Sequence, residues 1–568
     1  MRRIWWLIAA LMVITVTVLT FVVFQRPSDV TLTAFASAAG QEADMARIHH
    51  HLQSLAGTPS RITGSPGESA ARAYIVQHLR ALGLHDITQH VFSVAVPVTR
   101  TAALEAYPSG SARVTIPVYP VWPNLARTCQ TPPDGLTGAL VYARSGSEDD
   151  LRGLALRGAL VVLDWDSDLA WLSVPEFGGS AVIFRGARPA SRTLAQRKYL
   201  TVPADIPRYY VAPEDVPALD ALLAAGTQAR VHCDVEWQRV ETANILARVC
   251  GHAPVTNAVR DAHAPIIFHA YYDSISTVPD RAPGAEQACG PAVLLELARH
   301  LRELDSPRPV YVLFTGGHGQ ALAGITHFVA SIRNGVIPRP GLMAGLDLSS
   351  GSTVFGIFAL GNFRAQNEAF FTHKYSTLGR ELLAVSQRAL ITATGAAAFA
   401  FSFVDGINSA ATGRGWWTYF PYMSAMEGEL ANLAGIPSIN FATVNDNRSL
   451  VDTPDDTLAA INTNILARQI GSAGGRQAGL VRLAAALVMW HGPFVNSPVD
   501  DNWSAISGRA VWLDQTRDYA PNQPLAHALV FLKQRDGAKY FCGTRGVPCV
   551  ITDAHGRFEL QGIRKLIF

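Results

Sequence analysis

The stretch that decides the fold runs from Ile266 to Gly317. It opens with an apolar strand, I-I-F-H-A-Y-Y-D-S-I-S (Ile266 to Ser276), and passes into a loop with one acidic residue, P-G-A-E-Q-A-C-G (Pro283 to Gly290). An amphipathic segment A-V-L-L-E-L-A-R (Ala292 to Arg299) follows, then a second apolar strand, V-Y-V-L-F-T-G-G-H (Val310 to His318). Strand, loop, helix and strand in this order predict a βαβ unit with parallel strands, and sites in such sheets are built at the carboxyl ends of the strands. Asp273, Glu286 and His318 all fall at those ends. They are the first candidates for chemistry.

Upstream, Met45 to Leu55 has helical character. Ser65-Pro66-Gly67-Glu68 is a capping box with proline at the first helical position, and Ala71, Tyr74, Ile75, Leu79 and Leu82 then recur at helical spacing up to Gly83. His49, His50 and His51 point in different directions around a helix and are expected on a solvated face. Val91 to Val98 is strand-like. From about Val118 to Val235 short strands and turns alternate (G-A-L-V-Y-A, G-A-L-V-V-L-D, G-S-A-V-I-F-R), predicting a small β-rich domain. Glu241 to Gln469 returns to alternating strands and helices. Beyond Val488 the pattern A-L-V-F-L-K and V-I-T-D-A-H-G-R-F-E-L has hairpin character and predicts a β-sandwich.

The chain has 568 residues, too many for one core, and with 49% apolar and 16% charged residues it is built for folded domains rather than disorder. A net charge of +2 without a basic run excludes nucleic acid as a partner. Ile4 to Phe24 carries no charge and follows Arg2 and Arg3. As a helix it spans about 30 Å, the thickness of a bilayer core, and the arginines keep the N-terminus inside. A single-pass membrane anchor with the bulk of the chain extracytoplasmic is therefore expected, in preference to a signal peptide cut near Ala34 to Ala39. Cys542 and Cys549 flank G-T-R-G-V-P and can close a small loop; no C-x-x-C pair supports a thiolate zinc site.

Residues 45–100 and 239–470 resemble the zinc aminopeptidases of the glutamate-carboxypeptidase and transferrin-receptor type. The matching motifs are S-R-I-T-G-S-P-G-E (Ser60 to Glu68), A-N-I-L-A (Ala243 to Ala247), A-Y-Y-D-S followed by P-G-A, L-L-E-L-A-R, V-L-F-T-G, G-I-P-S-I-N-F (Gly435 to Phe441) and D-T-P-D-D-T (Asp452 to Thr457). The resemblance implies an α/β fold with a mostly parallel-sheet peptidase core. Its parts would be an anchor at 4–24, a first peptidase-like part at 45–109, an inserted protease-associated-like domain at 110–238, the core at 239–475 and a carboxypeptidase-regulatory-like β-sandwich at 488–568. It also implies two zinc ions at the strand ends, hydrolysing terminal peptide bonds through a metal-bound hydroxide.

Carried over position by position, the resemblance meets departures. Tyr271 stands where the first zinc's histidine is expected, and Asp273 keeps the place of the carboxylate that orients it. Glu286 matches the bridging aspartate and Asp347 the second aspartate. Gly317 takes the place of the general base, His318 that of the following glutamate ligand, and Asp452 that of the late histidine. Glu286, His318 and Asp452 together still offer one nitrogen and two oxygen ligands, enough for one open zinc site, while Tyr271, Glu286 and Asp347 make a poor second one. By their residue types alone, Glu286 also suits a helix cap, Asp452 a turn, Tyr271 a packed ring and His269 a core histidine. Ser349, Ser350 and Ser352 near Asp347 have no elbow motif that would make a serine hydrolase. Three readings follow: an intact two-zinc aminopeptidase, a one-zinc hydrolase of peptides, and a non-catalytic protein that binds a peptide or protein, the last somewhat favoured, and the cofactor expected is one zinc ion or none.

Overall fold

A computed structural model describes residues 44–108, 112–251, 264–361, 368–394, 403–408, 416–420, 425–471, 479–517, 519–532 and 547–565. The expected anchor at 4–24 and Cys542 lie outside them. Cys129, Cys233, Cys250, Cys289 and Cys549 are free thiols, and no helix among the described residues is long and apolar enough to cross a membrane.

The apolar runs form one mixed sheet of 14 strands among the described residues. Its core half runs in the order Phe403–Asp405, Phe355–Phe358, Ser438–Thr443, Leu342–Asp347, Ile266–Tyr271, Val310–Thr315 and Gln228–Cys250. Ile266–Tyr271 lies parallel to Val310–Thr315 and to Leu342–Asp347, which in turn is parallel to Ser438–Thr443. Four strands therefore end along one edge, at Tyr271, Thr315, Asp347 and Thr443. The expected βαβ unit is present, with helix Cys289–Leu301 between its strands. Nearly every residue of that helix is buried, because it shares one apolar cluster with the sheet and with helices Met45–Ala56 and Pro66–Ala81. Each Leu or Val so buried contributes about 1.5–3 kcal/mol.

Local signals place these helices. Ser65 Oγ accepts the Glu68 N–H at 3.1 Å with Pro66 at the first helical position, and Asp44 Oδ1 accepts the Ala46 N–H at 2.8 Å. The histidine run is not wholly solvated. His51 is buried, its Nδ1 2.7 Å from the Tyr74 hydroxyl, because its helical position falls on the face of Ile48, Leu52 and Leu55.

Residues 110–238 have hydrophobic clusters of their own. Their strands Leu136–Tyr142, Leu160–Asp164, Ala181–Arg185 and Arg208–Val211 are mutually parallel, so the segment is an α/β layer rather than a simple β-rich one. Nor is it separate from the central sheet. Gln228–Cys250 is a single strand of 23 residues. It pairs along its length with Ile87–Ala106, near its start with Leu136–Ala139 and near its end with Val310–Phe314. The boundary drawn at 238 falls inside this strand. Alternating burial lets one ribbon serve both cores in succession. The inserted segment reaches over the strand ends: Trp122 N–H donates to the Thr277 carbonyl at 2.8 Å, Arg192 N–H to that of Ser449 at 2.6 Å, and Ala190 N–H to Asp455 Oδ2 at 2.6 Å.

At the C-terminal end the expected hairpins appear, but the described strands form three two-stranded sheets rather than a sandwich. Trp503–Arg509 is mostly exposed, so it has no apolar face for a second layer. Trp503, Leu560 and Ile563 are buried instead, with Gly562 against Leu430 and Thr326 of the core.

Candidate functional site

The edge where the parallel strands end gathers an unusual density of buried charge. Asp273, two residues beyond its strand, accepts the backbone N–H groups of His318 at 3.1 Å and Gly319 at 3.3 Å. Thr63 Oγ1 lies 2.9 Å from its Oδ2. Burial pushes its pKa up to about 6, against the opposing pull of His318 and these donors. The turn that Asp273 organises includes Gly317, whose φ of +68° is the left-handed region that glycine adopts without strain. The position of the expected general base is therefore a backbone position first. A side chain there would be strained.

His318 stacks on Tyr271, ring centroids 3.7 Å apart at 22°, and its Nδ1 lies 3.3 Å from Glu427 Oε1. Glu427 is also 3.1 Å from His269 Nδ1 and accepts from Thr315 Oγ1 at 2.7 Å. Burial pushes the Glu427 pKa up, but its hydrogen bonds from His269 and His318 outweigh this and hold it down at about 2. Burial likewise lowers the His318 pKa, and the Glu427 carboxylate reverses the effect, leaving it above the ordinary imidazole value. His318 and Glu427 thus form a partly buried pair, with Tyr271 stacked on the imidazole. The Tyr271 phenol is held neutral, its pKa raised well above 10 by burial and by the Asp347 charge.

A second ion pair lies on the next strand end. Arg448 Nη1 is 2.6 Å from Asp347 Oδ1, and its Nη2 donates to the Asp347 carbonyl at 2.7 Å. Asp446 accepts the Arg448 N–H at 2.9 Å and the Ser349 hydroxyl at 2.6 Å. Glu286 does not cap the helix that follows it. Its two oxygens accept from Ser350, one from the hydroxyl and one from the backbone N–H, each at 2.6 Å. Its own N–H donates to Asp456 Oδ1 at 2.8 Å. Burial raises the pKa of both carboxyls, that of Asp456 to about 7. Asp452 occupies a turn at φ +76°. Its carbonyl accepts from Thr277 N–H at 3.0 Å, and its Oδ2 is 3.5 Å from Gln196 Nε2 of the inserted segment.

The candidate ligands are thus distributed, not gathered: His318 to Glu427, Asp347 to Arg448, Glu286 to Ser350, Asp452 to Gln196. Among the described residues no group of three or more His, Cys, Asp or Glu side chains is arranged to hold a metal ion, and the expected set of Glu286, His318 and Asp452 is no exception. The chemistry of the donors agrees. Hydrogen-bond donors occupy the oxygens of Glu286, a guanidinium neutralises Asp347, and Tyr271 keeps its proton, so these residues do not fit the zinc that the sequence resemblance implies.

The chain is similar to zinc aminopeptidases of known structure. The zinc aminopeptidase BSAP of Bacillus subtilis is 18% identical, over 78% of this chain and 94% of that one, with a TM-score of 0.46. An aminopeptidase from Aneurinibacillus sp. strain AM-1 is 21% identical, over 81% and 98%, with a TM-score of 0.40. A peptidase M28 precursor from Shewanella amazonensis is 16% identical, over 81% and 96%, with a TM-score of 0.48. No protein-family profile and no curated protein matches the sequence. A shared fold does not transfer an activity, which is decided by the side chains at the strand ends.

Glu427 and Arg448 are the members of this centre that the motifs did not point to; Asp456 lies within D-T-P-D-D-T and Ser350 beside Asp347, but the motifs assign neither a role. Glu427 sits one residue ahead of the apolar run G-E-L-A-N-L-A-G-I-P, whose own acid is Glu429, and looks like an ordinary helix-end acid. Arg448, in N-D-N-R-S, looks like an ordinary loop cation.

Proposed function

We propose that this chain is a non-catalytic extracytoplasmic protein that uses a peptidase-type scaffold to bind a peptide or protein, attached to the membrane through residues 4–24. The observation that carries the reading is the Arg448–Asp347 pair, which puts a fixed cation on a carboxylate that a metal would need. His318 paired with Glu427 supports it in the same way. Gly317, with no side chain and a left-handed backbone, leaves no proton acceptor at the place where a hydrolase would keep one.

Elemental analysis of the purified full chain tests this. The expected result is no stoichiometric zinc and no release of amino acids from unblocked peptides with zinc added. One zinc per chain that disappears in His318→Ala would establish the one-metal hydrolase instead. Two zincs with turnover would restore the intact aminopeptidase. The anchor has its own test: N-terminal sequencing of the mature protein that finds a start between Ala34 and Gln41 rules it out.

A further inference from the structure

The histidine run of helix Met45–Ala56 plays no part in the strand-end centre. His51 is only 1% exposed, its Nδ1 lies 2.7 Å from the Tyr74 hydroxyl, and its Nε2 has no partner among the described residues. Two more imidazoles crowd it. The His78 ring meets it edge to face, centroids 4.5 Å apart at 83°, and the His50 ring lies 6.4 Å away. His50 and His78 also flank Tyr74, at 6.0 and 6.1 Å. One seam between helices Met45–Ala56 and Pro66–Ala81 thus holds three imidazoles.

A neutral His51 packs here as an aromatic ring. A protonated one would carry a buried charge with an unpaired Nε2–H. The charged and titratable groups that face it are Arg47 and His50 from its own helix, Tyr74 and His78 from Pro66–Ala81, and Glu296 from Cys289–Leu301. Glu296 is the one carboxylate of this set, and Arg47, Arg299 and His300 already engage its oxygens. Burial first, and then His78, push the His51 pKa down to about 3. Burial lowers that of His78 as well, against the pull of Glu296. An exposed imidazole titrates near 6.5, so the opened seam binds more protons than the closed one below that pH. Closure is therefore complete above about pH 6.5 and weakens as pH falls toward 3.

The helix can leave without breaking the sheet, because it pairs with no strand and precedes the first one. Besides Ile48, Leu52 and Leu55 on its buried face, polar contacts fasten it. Arg47 Nε lies 3.1 Å from Glu296 Oε2, and Arg61 Nη1 donates to the Leu55 carbonyl at 2.8 Å. Arg61 also donates to the carbonyls of Pro283 and Gly284, just ahead of Glu286, so release of the helix reaches the border of the strand-end centre.

We propose that the seam of His50, His51 and His78 is an acid-sensitive latch, which holds helix Met45–Ala56 on the core at neutral pH and releases it in acid. The latch stands whether or not the strand-end centre holds zinc, so the elemental analysis and the test below fail independently.

The test is hydrogen exchange of the full chain, read by mass spectrometry at about pH 7.5 and about pH 4.5 and corrected for the intrinsic rate at each. Amides of residues 48–55 are expected to lose about 100-fold in protection between the two, the effect of one imidazole that titrates near 6.5 only when open. At the lower pH they are expected to be less protected than those of strand Val310–Thr315. His51→Leu, which keeps the buried face apolar, is expected to shrink the loss to below about 10-fold. A loss below about 3-fold in the unaltered chain overturns the proposal, as does an undiminished loss in the variant. Equal protection of helix and strand at the lower pH also overturns it, since the whole protein would then be opening together. If the variant fails to fold, the comparison of helix and strand on the unaltered chain still decides.

Discussion

Two regions of this protein bury charge in opposite ways. At the strand ends of the core, Glu427 meets His318 and His269, and Asp347 meets Arg448, so the charges persist because each has a counter-charge or donor. In the inserted segment, Lys198 is fully buried with no carboxylate in contact. Its ammonium donates to Ser167 Oγ at 2.9 Å and to the Asp168 carbonyl at 3.0 Å, 4.7 Å from the Phe184 ring. Burial pushes its pKa down to about 7, with Asp168 and Asp166 opposing only in part. Pairing preserves a buried charge, and dipoles and rings alone let it be surrendered. At the strand ends Glu427 and Asp347 have taken the first course.

The largest expected effect comes from cutting the paired region at its hub. Glu427→Ala strips His269, His318 and Thr315 of their shared acceptor and is expected to cost about 3–5 kcal/mol in urea unfolding, the usual cost of breaking a buried pair. The contribution of Glu427 is complete above its unfolded pKa of 4.5 and is lost as pH falls toward 2, because the folded carboxyl is the stronger acid. The variant should therefore lose that part of the acid dependence. A cost below about 1 kcal/mol would mean that the pair does not hold the centre together.

Arg448→Met should cost less, about 1–3 kcal/mol, because Asp347 keeps some access to water when its partner goes. The same variant sharpens the functional contrast. If the guanidinium merely displaces a metal, the variant should acquire zinc on dialysis against it. The expected outcome is that it does not, since Glu286 remains held by Ser350.

The smallest effect is expected in the inserted segment. The unfolded Lys198 titrates near 10.5 and the folded one near 7, so the unfolded chain binds more protons between these values and stability rises with pH across that window. Lys198→Met should abolish the slope. It is expected to be at least as stable as the unaltered protein at pH 6 and within about 1 kcal/mol of it at pH 9. A loss of stability at pH 6 would show that this charge, too, is paid for by its surroundings, and the contrast between the two regions would collapse.

Much of this architecture was legible in the residues. The run from Ile266 to His318 predicted the βαβ unit, Ser65 to Glu68 the start of a helix, and the strand ends the place of the centre, because apolar periodicity and capping chemistry act over a few neighbouring residues. The candidate positions Asp273, Glu286, His318 and Asp347 do lie along that edge. Their partners were not legible. Glu427 is 109 residues from His318 and Arg448 is 101 from Asp347. Nothing local distinguishes either from a solvated charge or a helix-end acid.

By itself the sequence determined most of the strands and helices around the centre and which ends of the strands carry ionisable groups. The tertiary structure alone decided that Glu286, His318, Asp347 and Asp452 each face a different partner, and that one 23-residue strand joins the inserted segment to the core sheet. The physical reason is the range of the forces. Propensity and periodicity are set within a few residues. Whether a buried carboxylate waits for a metal or is already neutralised depends on a counter-charge that only folding brings within 3 Å.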